Sequence, residues 1–360
     1  MSEPRDILII ITPGFPASED DSTCLPMQQQ LVRAINRIHP NLQVIILSLQ
    51  YPYIISEYSW HDNRVISFNG RNRGGLAGFM IRRKAIQALA ALAREGRIVG
   101  MLSFWYGECA RVGNAFNRLN GTPHYCWILG QDARKANRTP RIMRMKDESL
   151  VALSDFLQAE FQRNHNTRPA HVIPPGVDRS MFRDISPARD ISQDIPRGID
   201  IMAAGSLIPL KQYSVFLEVI AGLKKSRPNI NAVIVGDGSE RKRLEAEISA
   251  LGLAGQVKLT GSLPYPEVLD LMRRSKVFLH PSTYEGFSGV CLEAASLGAS
   301  VISFCQPMKE PIPHWQIASS PQEMETMTRR ILDDALPTSD FLPAFDIDTT
   351  ARKMLDLFLL

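Results

Sequence analysis

Residues 280–298, HPSTYEGFSGVCLEAASLG, place two carboxylates, Glu285 and Glu293, around a glycine-bearing turn that looks like a helix start. Ser288 reads as the N-cap, which leaves the amides near Gly289 and Val290 free for an anionic oxygen. Gly286 and Gly289 would let a ligand come close to the backbone. Glu293 stands four residues after Gly289, on the same helix face, and its side chain leans back toward the turn. A capping box would need its acid at Cys291, so Glu293 is misplaced for that job. Its small, apolar neighbours also fit poorly with a solvated surface acid. Carboxylates repel phosphate but accept readily from hydroxyls. Lys211, in AAGSLIPLKQYSV, lies at or just before another helix start, where the helix dipole disfavours a cation. A bound diphosphate would remove that conflict. Phosphate and hydroxyls together describe a nucleotide sugar. In IVGDGSERKRLE, Gly236, Asp237 and Gly238 form a further strand-to-helix turn with Ser239 as its expected cap. This turn does not complete G-x-G-x-x-G, which counts against a dinucleotide enzyme.

The elements that must hold these residues alternate between short apolar runs and helical periods, the pattern of βαβ units and parallel sheets. ILIIIT, LQVIILSL, IVGMLSFW, HYCWIL, SLVALS and AHVIPP read as strands of a first series. IDIMAAGS, NAVIVG, VKLTG, KVFLHPS and ASVISF read as strands of a second. Helices intervene, among them KQYSVFLEVIAGLKKS, whose Val215, Phe216, Val219, Ile220 and Leu223 share one face. Between the two series, RDISPARDISQDIPRGI is polar and aperiodic. The expected division is therefore 1–182, a linker over 183–199, a second domain over 200–345, and a final helix over 346–360 packing back toward the first domain. Two doubly wound α/β domains would face each other across a cleft, with ligands at the carboxyl ends of the strands.

Composition sets the bounds. A chain of 360 residues with 44% hydrophobic and 22% charged content is an ordinary globular protein large enough for two cores. Its net charge of +4 suits an anionic ligand and is too small to argue for nucleic acid. Five cysteines without a CxxC pair favour a reducing, cytoplasmic setting. No apolar run approaches the roughly 20 residues of a membrane span.

TYEGFSGVCLEAASLG, GSLIPLK, IVGDGSE and VIPPGVD resemble the retaining glycosyltransferases of the family-4 type, which have the GT-B fold. The resemblance extends over roughly the whole chain and is strongest in its C-terminal half. It implies donor binding in the C-terminal domain and acceptor binding in the N-terminal one, with no metal or other cofactor. Carried over, Glu293 would accept from the ribose and Glu285 would sit near the donor sugar. Lys211 would neutralise the diphosphate and assist its departure. Gly205 and Ser206, Gly236 and Asp237, and the backbone from Gly286 and Phe287 through Ser288, Gly289 and Val290 would complete the donor site. Gly14 would approach the diphosphate from the other domain, and Leu263 would lie where the base is held. Ser206 stands where the family usually carries an arginine, and the family's N-domain histidine is not plainly present.

On the acceptor side, Gln131 and Asp132 are expected to line the cleft. Trp105 and Tyr106 read equally as sugar-stacking rings or as core; His124 reads as structural. Arg71, Arg73, Arg82, Arg83 and Lys84 form either a solvated helix face or a basic surface meeting an anionic membrane or a lipid-linked acceptor. The implied activity is transfer from a UDP- or GDP-sugar to a glycan or lipid-linked acceptor, at the inner face of the membrane, in envelope polysaccharide synthesis. Two other readings stay open: a non-catalytic nucleotide-sugar-binding subunit, and a GT-B epimerase.

Overall fold

The computed structural model describes residues 6–21, 24–183, 198–334 and 344–360. The chain divides into two compact units, Met1–Gly176 with Asp346–Leu360, and Val177–Phe345. Most of the expected linker at 183–199 lies outside the described residues. The first unit ends at Gly176, earlier than the expected 182.

In the first unit the strands are β1 (Asp6–Gly14), β2 (Gln43–Tyr51), β3 (Ile55–Trp60), β4 (Asn63–Phe68), β5 (Arg97–Phe104), β6 (His124–Ile128), β7 (Leu150–Ala152) and β8 (His171–Val172). They form one sheet in the order β3-β4-β2-β1-β5-β6-β7-β8. Helices α1 (Pro26–Ile38), α2 (Gly75–Glu95), α3 (Glu108–Asn120), α4 (Thr139–Ile142) and α5 (Asp155–His165) connect them. Ile7 through Ile11 are all buried, as expected of a central strand with both faces covered. The β3–β4 pair is antiparallel, with Tyr58 opposite Val65. This hairpin is faint in the sequence because its outer strand alternates exposed and half-buried residues, with Ile55 exposed and only Trp60 buried.

The second unit contains α6 (Ser180–Arg183), then β9 (Ile199–Ala204), α7 (Tyr213–Lys224), β10 (Ala232–Val235), α8 (Arg241–Ala250), β11 (Val257–Leu259) and α9 (Tyr265–Arg273). It continues through β12 (Ser275–His280), α10 (Gly289–Ser296), β13 (Ser300–Ser303), β14 (Trp315–Ile317) and α11 (Pro321–Asp333). The sheet is parallel in the order β11-β10-β9-β12-β13-β14. Phe216, Leu217, Val219, Ile220 and Leu223 bury the inner face of α7, while Val215 is only partly buried. Both units are thus Rossmann-like α/β layers.

The chain then returns to the first unit as α12 (Ile347–Asp356), capped by the Asp346 carboxylate, which accepts from the Asp348 amide at 2.9 Å. Two glycines admit it. A Cβ on Gly176 would stand 2.4 Å from the Ile347 backbone, and one on Gly100 would stand 2.1 Å from the Phe358 ring. Phe358 also meets Tyr125 edge-on at 5.1 Å, and Thr350 donates to the Pro174 carbonyl at 3.0 Å.

Candidate functional site

The strand order of the second unit reverses between β9 and β12: β10 and β11 lie to one side, β13 and β14 to the other. Loops leaving neighbouring strands at such a reversal part company and open a crevice. Lys211 comes from the loop after β9, at the end of a single 3-10 turn, Pro209–Lys211. Glu285 comes from the loop after β12. The Thr283 amide donates to the Leu210 carbonyl at 3.2 Å, as does the Ser282 hydroxyl, so the two loops are stitched together. There the Lys211 ammonium is ion-paired with Glu285 Oε1. His280, the last residue of β12, holds the same oxygen at 3.1 Å through Nε2.

The electrostatics follow from that contact. Burial alone would raise the Glu285 carboxyl, but the His280 hydrogen bond and the Lys211 charge overcome it and hold the pKa down at about 2. Glu285 is therefore ionised and can only accept, so the proton on His280 must sit on Nε2. Burial, reinforced by Lys211, lowers the His280 pKa despite Glu285, which keeps the ring neutral. A carboxylate 74 positions along the chain already pairs with Lys211, so the conflict at the helix start is relieved without a bound diphosphate.

Beside this cluster, α10 begins at Gly289 with Ser288 in the N-cap position, but the serine side chain makes no capping bond. No atom comes within 4 Å of where a Gly289 Cβ would stand. The start of α10 is thus open at the point where a ligand would meet its amides. Phe287 is placed differently from a ligand wall. It is buried against Trp315 and Phe345, each with ring centroids at 5.7 Å, and anchors the turn from beneath. Glu293 Oε1 accepts from the Tyr265 hydroxyl at 2.7 Å. Burial pushes its pKa up to about 7, with the Tyr265 bond opposing.

The GDG turn has a structural job. A Cβ on Gly236, whose φ is +139°, would stand 2.0 Å from the Gly205 carbonyl oxygen, and one on Gly238 2.4 Å from that of Leu207. These glycines allow the 205–207 loop to lie flat against the next one. Asp237 folds onto the Gly238 amide at 2.7 Å and approaches Arg241 at 3.9 Å. Ser239 is not the cap of α8; Glu240 holds that position, and α8 starts at Arg241. Gly205 lies close to Lys211, with its Cβ position 3.8 Å from the lysine Cε. Ser206 is exposed, and Leu263 is half-buried in the loop before α9.

In the first unit, Gly14 is the last residue of β1, next to Tyr51. Gln131 is exposed. Asp132 turns inward, where its carboxylate accepts from the amides of Tyr106 (2.8 Å), Gly130 (2.8 Å) and Leu129 (3.2 Å). Its oxygens are taken by its own loops rather than offered to a ligand's hydroxyls. Tyr106 is likewise core: it is buried, and its hydroxyl donates to Met143 O at 2.6 Å while accepting from the Met145 amide at 2.9 Å. Trp105 is half-buried and holds a left-handed backbone, φ +63°. His124 is buried on Ser103 at 2.9 Å, and burial lowers its pKa to about 3. Of the basic residues, Arg71 lies over the Tyr53 ring and Arg82 pairs with Glu108.

Two side chains of the site, His280 and Tyr265, lie outside the residues expected from the sequence. The available signals were a histidine ending a strand directly before the acidic turn, and a tyrosine opening the helix after Leu263. Among the described residues no cluster of three or more His, Cys, Asp or Glu could hold a metal ion, and no helix is long and apolar enough to cross a membrane.

Comparison with known proteins places the match on the same unit. Residues 189–329 match the family described as Glycosyl transferases group 1. The phosphatidylinositol N-acetylglucosaminyltransferase gpi3 subunit of Schizosaccharomyces pombe is 34% identical over 138 residues, 38% of this chain and 29% of the relative. The 2-deoxystreptamine N-acetyl-D-glucosaminyltransferase of Niallia circulans is 30% identical over 103 residues, 29% of this chain and 26% of the relative. This chain thus matches less than a third of the length of either. Over nearly the whole chain, sucrose-phosphate synthase from Thermosynechococcus elongatus superposes with a TM-score of 0.74 at 17% identity, covering 99% of this chain and 98% of that one. Anabaena Alr3699/HepE in complex with UDP-glucose superposes with a TM-score of 0.67 at 18% identity, covering 98% of each. At such identities the likeness concerns the fold, which is the two-domain GT-B arrangement.

Proposed function

We propose that this chain is a retaining, metal-independent glycosyltransferase that moves a sugar from a UDP- or GDP-sugar to a glycan or lipid-linked acceptor. Its setting would be cytoplasmic, in envelope polysaccharide synthesis. One observation carries the reading: at the strand-order reversal, a lysine and an uncapped helix start lie beside a carboxylate that only accepts.

Cleaving the anomeric C–O bond leaves negative charge on the departing diphosphate. Lys211 would swing from Glu285 to that diphosphate, joined by the amides that open α10, and stabilise the charge as it develops. Released from the lysine, Glu285 would accept from a donor-sugar hydroxyl while His280 keeps it in place. Glu293 would accept from the ribose in exchange for Tyr265. The acceptor hydroxyl would attack from the face the diphosphate leaves, which hands its proton to the leaving phosphate and retains the configuration. UDP-glucose binding by the Anabaena relative supports the donor class.

The test is a thermal-shift panel of UDP, GDP and their sugars, followed by donor turnover with and without EDTA and assignment of the product anomer. Stabilisation by one nucleotide, EDTA-resistant transfer and a retained anomer are expected. Failure of every nucleotide to stabilise the chain would overturn the proposal. Binding without turnover would point to a non-catalytic role beside an active partner, and donor interconversion to an epimerase.

A further inference from the structure

The first unit carries a polar cavity of about 1070 Å³ that the donor site does not use. It opens along the amino ends of four adjacent strands. Asp6, Gln43, Asn63 and Arg97 are the first residues of β1, β2, β4 and β5, which are neighbours in the sheet, and all four line it. Four neighbouring strands span roughly 14 Å, three gaps of about 4.8 Å. Gly14, at the carboxyl end of β1, lies about 26 Å away along that nine-residue strand. Ligands of doubly wound sheets bind at the carboxyl ends, so this cavity is separate from any site of transfer.

Several of its polar groups are held in place with hydrogen-bonding capacity to spare. Asn63, 4% exposed, donates through Nδ2 to the Trp60 and His61 carbonyls at 3.1 and 2.8 Å. Its Oδ1 accepts from Asn36 Nδ2 at 3.0 Å, which fixes a second carboxamide and leaves Asn36 Oδ1 to accept from a ligand. Arg97 places Nε and Nη2 on the Asp6 carboxylate at 2.7 and 2.6 Å, and Nη1 stays available. Among the described residues the side chains of Asn41, Gln43 and Asp62 make no hydrogen bond or ion pair.

The chemistry of the lining selects the ligand. Four carboxamides, Asn36, Asn41, Gln43 and Asn63, each present donors and an acceptor in one plane, the complement of neighbouring hydroxyls. The charge of Arg97 is already answered by Asp6, whose pKa its hydrogen bonds lower, so no cation is left over for a phosphate or a uronate. The rings of His39, His61 and Pro40 add flat faces on which sugar C–H groups can lie. A volume at the top of the range for small-ligand sites, drawn out over four strands, suits a short run of sugars better than one ring.

We propose that this cavity is a second glycan-binding site, which takes a neutral oligosaccharide laid across the amino ends of β4, β2, β1 and β5. The proposal goes beyond the donor reading and uses nothing from it.

Calorimetric titration of the full chain with maltohexaose, cellohexaose and mannohexaose tests it, with glucose, mannose and hexagalacturonate as controls. Saturable binding of at least one neutral hexasaccharide is expected, about tenfold or more tighter than that of any control, and undiminished by saturating UDP or GDP. Asn41→Ala and Gln43→Ala should each weaken it about fivefold with the melting temperature unchanged. Unaltered affinity in the variant carrying both substitutions would put the sugar elsewhere and overturn the proposal. So would hexagalacturonate binding as tightly as the neutral probes, or no binding by any of the three. A nucleotide thermal shift on the same sample reports separately on the donor site, so the two readings fail independently.

Discussion

Asp132 in the first unit and Glu285 in the second both lie just beyond the carboxyl end of a parallel strand, and both are largely removed from water. Their partners differ. Backbone amides of two loops grip Asp132, and burial still raises its pKa above the ordinary value. Side chains hold Glu285, and they drive its pKa down to about 2. An amide fixed by the fold cannot leave without unfolding its loop, whereas a lysine on a four-carbon stem can turn to a new anion. One acid is therefore a rivet and the other a detachable clasp, although the sequence presents both simply as acids after a strand.

The largest effect should come from the clasp. Lys211→Ala is expected to lower donor turnover about 10²–10³-fold, the usual loss when one charge-stabilising donor is removed, and to lower the melting temperature as well, because Glu285 stays buried and loses its counter-charge. A folded variant with full turnover would break the contrast. Next comes the rivet: Asp132→Ala leaves the amides of Tyr106, Gly130 and Leu129 unpaired, and urea unfolding should show a loss of about 3 kcal/mol. A loss below about 1 kcal/mol would mean that water replaces the carboxylate.

Acid titration sharpens the comparison. The folded-state pKa of Glu285 lies below its ordinary 4.5, so its contribution is complete above that value and disappears as pH falls toward about 2. Stability should drop by about 3 kcal/mol across that window and stay flatter in Glu285→Gln. The smallest effect concerns Glu293, whose pKa is pushed up to about 7. If ribose hydroxyls bind its ionised form, nucleotide affinity should rise about tenfold from about pH 6 to about pH 8. Glu293→Gln should abolish the slope, and a slope unchanged in that variant would rule out the ribose role.

What the sequence made legible was local. Ser288 at the start of α10 and Lys211 just before α7 depend on a few neighbouring residues, and those neighbours are adjacent in the chain. The rest depended on contacts made across the fold. Tyr265 reaches Glu293 from 28 positions away, and Glu285 reaches Lys211 from 74, pairings that only the order of the sheet brings about. Gln131 and Asp132 differ by one residue, yet a single 3-10 turn exposes the first and buries the second. The end of the first unit at Gly176 was also hidden, because α12 determines it from the far side of the second unit in the chain.

Gly100 and Gly176, which make room for Phe358 and Ile347, bear on how the chain is made. Residues 346–360 leave the ribosome only after the whole of the second unit has emerged. Until then the nascent first unit has an empty slot beside β5, and α1, on which α12 packs, has an uncovered flank. The second unit, by contrast, is contiguous and can close on its own as it appears. Synthesis order and folding order are therefore reversed for these two halves, and the half begun first is the one completed last.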